Sequence, residues 1–127
     1  MAINPYAQYQ QQSMMTMTQG ELLIQVYDGL IKFLYGAIDS IEKKDIPNTN
    51  INLQKAENIL IYLRNGLNMQ YEVSNNLYSL YTYFFEQCMQ ANLKKDKAIL
   101  EPILEMVQDL RDTYVVADKK ARQEGVR

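Results

Sequence analysis

Residues 18–43 read TQGELLIQVYDGLIKFLYGAIDSIEK, and this stretch decides the fold. Thr18 and Glu21 stand three apart ahead of an apolar run, the spacing of a capping box. From there Leu23, Tyr27, Leu30, Leu34, Ile38 and Ile41 recur at steps of three and four, the period of one helix face. The apolar side is wider than that stripe. At about 100° per residue, Leu22, Ile24, Val26, Ile31, Phe33 and Tyr35 broaden it to an arc of roughly 220°. Glu21, Gln25, Asp28, Lys32, Gly36 and Asp39 line the polar side. A helix at the edge of a small bundle needs a narrower stripe. The surplus must be covered by neighbouring helices, by another part of the chain, or by a partner.

The sequence on either side supplies the neighbours. Asp45 to Asn50, with Pro47, reads as a turn. A second helix is expected from about Asn50 to Asn65, with Leu53, Ala56, Ile59, Leu60 and Leu63 inward and Gly66 just past its end. Residues 67–72 connect to a third helix from about Val73 to Leu93, whose inner stripe is Val73, Leu77, Leu80, Tyr81, Phe84 and Cys88. Asp96 suits the N-cap of a fourth helix running to about Lys120, with Leu100, Ile103, Leu104, Val107, Leu110 and Tyr114 inward. Pro102 predicts a kink there, or a start nearer Leu100. The fold class is therefore all-α, an antiparallel up-down four-helix bundle over residues 18–120, followed by a frayed end at 121–127. Residues 1–17 form an uncharged tail in which Tyr6, Tyr9, Met14, Met15 and Met17 interrupt polar sequence. It reads either as a terminus with no fixed contacts or as a segment that packs on the bundle.

Composition removes most chemistry. At 127 residues the chain makes one domain of sufficient size to bury a core without staples. The single cysteine, Cys88, allows no internal disulfide and suits a reducing compartment. No signal-peptide pattern opens the sequence, and no apolar run reaches the ~20 residues that span a bilayer. The expected place is the cytoplasm, without membrane insertion. The net charge is −2, with both signs mixed along the chain, so the basic stripe that nucleic acid requires is missing. There is no histidine, the usual general base near neutral pH and a common metal ligand. Ten tyrosines and seven methionines instead suit contact surfaces.

The remaining candidates for chemistry are weak. Glu101, Glu105, Asp109 and Asp112 share one face of the fourth helix, opposite its apolar stripe, which points them to solvent rather than to a metal. Cys88 lies on an inner stripe with no base to activate it. The five glycines are scattered and form no phosphate loop. Gly29 and Gly36, seven apart on one side of the first helix, fit either a close helix approach or a flat strip for another chain. Arg64 and Arg111 could pair with Glu57, Glu72, Asp109 or Asp112. No catalytic residue, metal site or cofactor is expected, and the chain reads as a binding protein rather than an enzyme.

Several of these stretches together resemble the FliS family of flagellin export chaperones. Asn4-Pro5-Tyr6 with Tyr9 and the glutamines resembles its opening. Thr18, Gly20-Glu21-Leu22, Tyr27-Asp28-Gly29 and Phe33 resemble its first-helix signature. Leu67-Asn68-Met69, Tyr71-Glu72 and Ser74 resemble its junction between the second and third helices. Ala91-Asn92, Lys94-Lys95-Asp96 and Leu110-Arg111-Asp112-Thr113 resemble its later markers. The resemblance covers residues 4–114. Tyr114, where the family often has tryptophan, and Pro102 depart from it.

The resemblance implies a cytoplasmic chaperone that binds the disordered C-terminal segment of newly made flagellin. Binding blocks premature polymerisation and aids delivery to the flagellar export apparatus. Other flagellar export or regulatory proteins are the further partners it allows, with the chain a monomer or weak homodimer. The surplus apolar faces then become partner grooves beside the first and third helices, to which Ile24, Tyr27, Ile31, Leu67, Tyr71, Leu77, Tyr78 and Tyr81 are expected to contribute. Tyr6 and Tyr9 are expected to dock the tail over part of that surface. The competing readings are a self-associating helical structural or adaptor module, and a bundle whose tyrosines line a small-ligand pocket.

Overall fold

A computed structural model describes residues 17–125, so the tail-docking residues Tyr6 and Tyr9 lie outside the described residues. Four α-helices fill that span: α1 (Gln19–Glu42), α2 (Ile46–Asn65), α3 (Glu72–Lys94) and α4 (Lys97–Gln123). Short connections force consecutive helices to run antiparallel. In the ring so formed, α1 packs against α2 and α4, and α3 against α2 and α4.

The helix ends follow local chemistry. Thr18 accepts from the Glu21 N–H at 3.2 Å, the first half of the capping box. Asp96 caps α4 by accepting from the Ala98 N–H at 3.0 Å. The expected turn at residues 45–50 is corrected. Asp45 is itself the N-cap, accepting from the Asn48 N–H at 3.2 Å, and Pro47 lies in the first turn, where its missing N–H has no intrahelical partner to lose. α2 therefore begins four residues before the expected Asn50. α4 runs unbroken from Lys97 past Pro102 and continues to Gln123, so residues 121–123 are helical rather than frayed. Lys95, at the C-cap of α3, takes the left-handed conformation usually left to glycine.

The core holds Tyr27, Leu30, Leu34 and Ala37 from α1, and Leu53, Ala56, Leu60 and Leu63 from α2. Tyr81, Phe84, Cys88 and Ala91 of α3 and Leu100, Ile103, Leu104 and Val107 of α4 complete it. The periodic stripes predict most of these positions. Val73 departs from its expected place inward: it is 60% exposed, and the neighbouring Ser74 is buried instead, donating to the Asn68 carbonyl at 2.6 Å. At the centre, the Tyr27 and Tyr81 hydroxyls hydrogen-bond to each other, joining α1 to α3 across the diagonal of the ring. Tyr114 stacks on Tyr27 with ring centroids 5.2 Å apart. Among the described residues no buried side-chain nitrogen or oxygen lacks a hydrogen-bond partner.

Candidate interaction surface

Much of the wide apolar arc of α1 packs on its own bundle: Leu23, Val26, Ile31, Phe33, Ile38 and Ile41 lie against the core, whereas Tyr35 stays exposed. Toward α4, Glu21, Asp28, Tyr35 and Glu42 recur every seven residues, and each meets a polar group of α4. Glu21 contacts Arg122, Asp28 accepts from Arg111 Nε at 2.8 Å, the Tyr35 hydroxyl accepts from Gln108 at 3.0 Å, and Glu42 accepts from Lys97 at 2.7 Å. Ile24, Ile31 and Ile38 lie between these rungs, half-buried. Toward α2, the ring of Phe33 lies beneath the Lys32 and Lys55 ammoniums, 5.7 and 5.3 Å from its centroid. Gly36 faces Asn52, whose Oδ1 would stand 2.8 Å from an added Cβ, and Gly29 faces Ile59 at 3.6 Å. Gly36 therefore serves the close approach of α1 to α2, whereas a Cβ at Gly29 would meet only ordinary contact.

The expected contact residues fall into two groups. Tyr27 and Tyr81, expected in the partner groove, are in the core at 0% and 2% exposure, with their hydroxyls spent on each other. Burial pushes both hydroxyls up, Tyr81 to about 12, so both rings are neutral and fixed. The other six reach the surface. Ile24 lines a cleft of about 470 Å³ between α1 and α4 with Arg111, Val115 and Lys119. Ile31 sits half-buried farther along that seam. Leu67, Tyr71, Leu77 and Tyr78 gather where α2 passes into α3, at the same end of the bundle as the start of α1.

Exposed apolar side chains are spread unevenly among the helices. On α1 the large exposed apolar side chain is Tyr35, whereas α3 carries Val73, Tyr78, Tyr83, Met89 and Leu93. Leu93 is 79% exposed, and Tyr62 on α2 and Tyr71 in the junction reach 67% and 64%. A second cleft, about 510 Å³, runs between α2 and α3, lined by Glu57, Met89, Gln90, Asn92, Leu93 and Lys95. The sequence reading omitted Met89 and Leu93. Their signal was present: counted from Tyr78, both return to the same side of the helix, at eleven and fifteen residues.

The other candidates resolve on geometry. Arg111 pairs with Asp28 and, at 3.5 Å, with Asp112. Arg64 meets none of the carboxylates considered for it. It donates to the Thr82 hydroxyl at 3.2 Å and lies 5.4 Å from the Tyr78 ring centroid. Glu101, Glu105, Asp109 and Asp112 are exposed. Among the described residues no cluster of metal-ligating side chains is present, and no helix is long and apolar enough to cross a membrane. Cys88 is fully buried, and desolvation with the nearby Glu57 charge pushes its thiol up to about 12, away from nucleophilic use.

Known proteins share this architecture and sequence. A solved structure described as a flagellar chaperone from bacteria superposes with a TM-score of 0.76 at 22% identity, covering 91% of this chain and 99% of that one. The flagellar secretion chaperone FliS of Bacillus subtilis (strain 168) is 39% identical over 121 residues, 95% of this chain and 91% of its own length. The Escherichia coli (strain K12) protein of that name is 28% identical over 116 residues, 86% of this chain and 83% of its own. A bundle of this form, with these relatives, falls in the class of flagellar export chaperones. The family described as flagellar protein FliS matches residues 2–121, and the chain belongs to it.

Proposed function

We propose that this chain acts in the cytoplasm as the export chaperone of flagellin, holding the disordered C-terminal segment of the newly made subunit. Held in this way, the segment does not enter premature polymerisation, and the subunit is kept ready for the export apparatus. The observation that carries the reading is the apolar edge of α3 with the α2–α3 junction, where Tyr62, Tyr71, Tyr78, Met89 and Leu93 are all at least 44% exposed. A segment that folds on binding buries on the order of 1,000–3,000 Å² and needs a long apolar track of this kind. The buried tyrosines fill the core by contacting one another, which argues against an internal ligand pocket.

Co-purification with full-length flagellin and with flagellin lacking its C-terminal segment tests the proposal. Binding is expected to disappear only in the truncated form. Equal retention of both forms overturns it. Concentration-dependent dimerisation that buries the α3 edge, with no flagellin bound, favours the self-associating reading instead.

A further inference from the structure

The last turns of α4 are packed differently from the rest of the helix. Leu100, Ile103, Leu104 and Val107 are buried, and among the described residues no side chain of α4 past Val107 is. Leu110 and Tyr114 still lie against the core, part-exposed. Tyr114 stacks on the buried Tyr27, and Arg111, one turn earlier, pairs with Asp28 at 2.8 Å. Beyond this point residues 115–123 run on for about 13 Å as an arm along the start of α1.

The arm is attached again at its far end. Arg122 pairs with Glu21 in the first turn of α1, and with Asp118 one turn back at 3.3 Å. Between the two attachments lies the cleft of about 470 Å³, with Ile24 on the α1 side and Val115, Asp118 and Lys119 on the α4 side. A second cleft, about 400 Å³, opens beside it between Asp118 and residues Thr18, Gln19 and Gly20. The arm is thus pinned at both ends and loosely seated along its length. The two attachments differ in kind. The inner one covers an aromatic ring of the core. The outer one joins side chains that are 52% and 35% exposed, and pairs of that kind are weak and screened by salt. Opening of a folded chain begins where buried apolar contact is least.

We infer that residues 115–123 are a hinged cover over the α1 seam, pivoting at Tyr114 and Arg111 and latched by Arg122 on Glu21. With the latch closed, Ile24 is half-buried under the arm; with the latch released, Ile24 and Val115 are bared while the four-helix core stays folded. Ile24 is one of the side chains expected to meet a partner, so the latch decides when that part of the seam is available.

The test combines hydrogen exchange of the full chain, read by mass spectrometry, with alkylation of an Ile24→Cys variant by iodoacetamide under native conditions. Cys88 is buried with its thiol pushed up, so it stays silent in the folded protein. Arg122→Gln is expected to speed both the labelling at position 24 and the exchange of amides 116–123 about three-fold, with Arg122→Lys close to the parent rate. Salt at about 1 M should quicken the parent to a similar degree and change Arg122→Gln little. Amides 30–37 and 100–107 should keep their parent rates throughout. Rates indifferent to both Arg122→Gln and salt overturn the latch. Faster exchange at 116–123 with unchanged labelling at position 24 is fraying of a free helix end, and overturns the cover. If Ile24→Cys does not fold, amides 23–26 of the otherwise parent chain carry the same decision: they quicken together with the arm, or the cover is wrong.

Discussion

The Tyr27–Tyr81 pair separates a core role from a contact role. Tyr27→Phe keeps the ring, so it opens no cavity and preserves the stack on Tyr114. It deletes one of two hydroxyls that bond to each other in the interior. A buried polar group stripped of its partner costs about 1–3 kcal/mol. The Tyr114 hydroxyl acts on both members of the pair and takes up part of the deficit. The expected loss is therefore about 1–2 kcal/mol for either Tyr27→Phe or Tyr81→Phe. The double variant removes donor and acceptor together and should cost about 1 kcal/mol less than the sum of the singles. Urea unfolding followed by circular dichroism reads this directly, with the denaturant dependence unchanged and only the midpoint moved. Affinity for flagellin should stay at the parent value once the protein is folded. Single variants that keep full stability and lose flagellin binding would put the hydroxyls on a contact surface and refute the core assignment.

High pH probes the same interior. Folding raises the Tyr81 hydroxyl to about 12 and moves Tyr27 in the same direction, while both ionise near 10 once unfolded. The folded state keeps protons the unfolded chain has lost, so stability is intact below about pH 10 and falls by about 1.4 kcal/mol per pH unit per tyrosine above it. Cys88 adds a loss of the same sign from about pH 9, and a flat urea midpoint between about pH 9 and 11 contradicts this. Gly29→Ala meets ordinary contact at Ile59 and should stabilise by about 0.5–1 kcal/mol through helix propensity. Gly36→Ala must displace Asn52 from the Asn48 carbonyl and should come out about 1 kcal/mol less stable than Gly29→Ala; equal midpoints would undo the close-approach account. Pro102 stands six residues into α4 and supplies no N–H to the Ala98 carbonyl, so Pro102→Ala should raise the thermal midpoint, by about 1–3 kcal/mol of stability; a lowered midpoint would show that the helix needs the proline ring. Arg111→Ala should cost at most about 1 kcal/mol, an amount that shrinks with added salt; a loss indifferent to salt would mean packing rather than charge.

The bundle was legible because its stripes are long and its caps are local. Thr18 and Asp96 act within three residues of themselves, and a sequence shows that directly. The misread start of α2 has an equally local cause. Pro47 breaks a helix from inside but fits one at its first turn, and only the Asp45 cap decides between the two. The end of α4 was harder to read, because the contacts that hold it come from far along the chain. Arg122 reaches Glu21, 101 residues away, and no window on the sequence joins them.

The surface was legible as an excess of apolar side chains, but the excess alone does not say which helix leaves it open. On α1 much of the surplus is taken up by the α4 seam and by the lysine ammoniums over Phe33. On α3 the corresponding side chains stay exposed. Periodicity placed Tyr27 and Tyr81 on inner stripes, while the surplus apolar faces and the family resemblance placed the same two residues in a partner groove. The conflict ends in a bond between two residues 54 apart, each satisfying the other, and no spacing rule within one helix anticipates it. The α2–α3 edge shows that pairing and covering are separate matters. Asn50 and Arg64 find polar partners there, yet Met89 and Leu93 beside them stay 49% and 79% exposed, so polar contacts along a helix edge do not by themselves cover its apolar side chains.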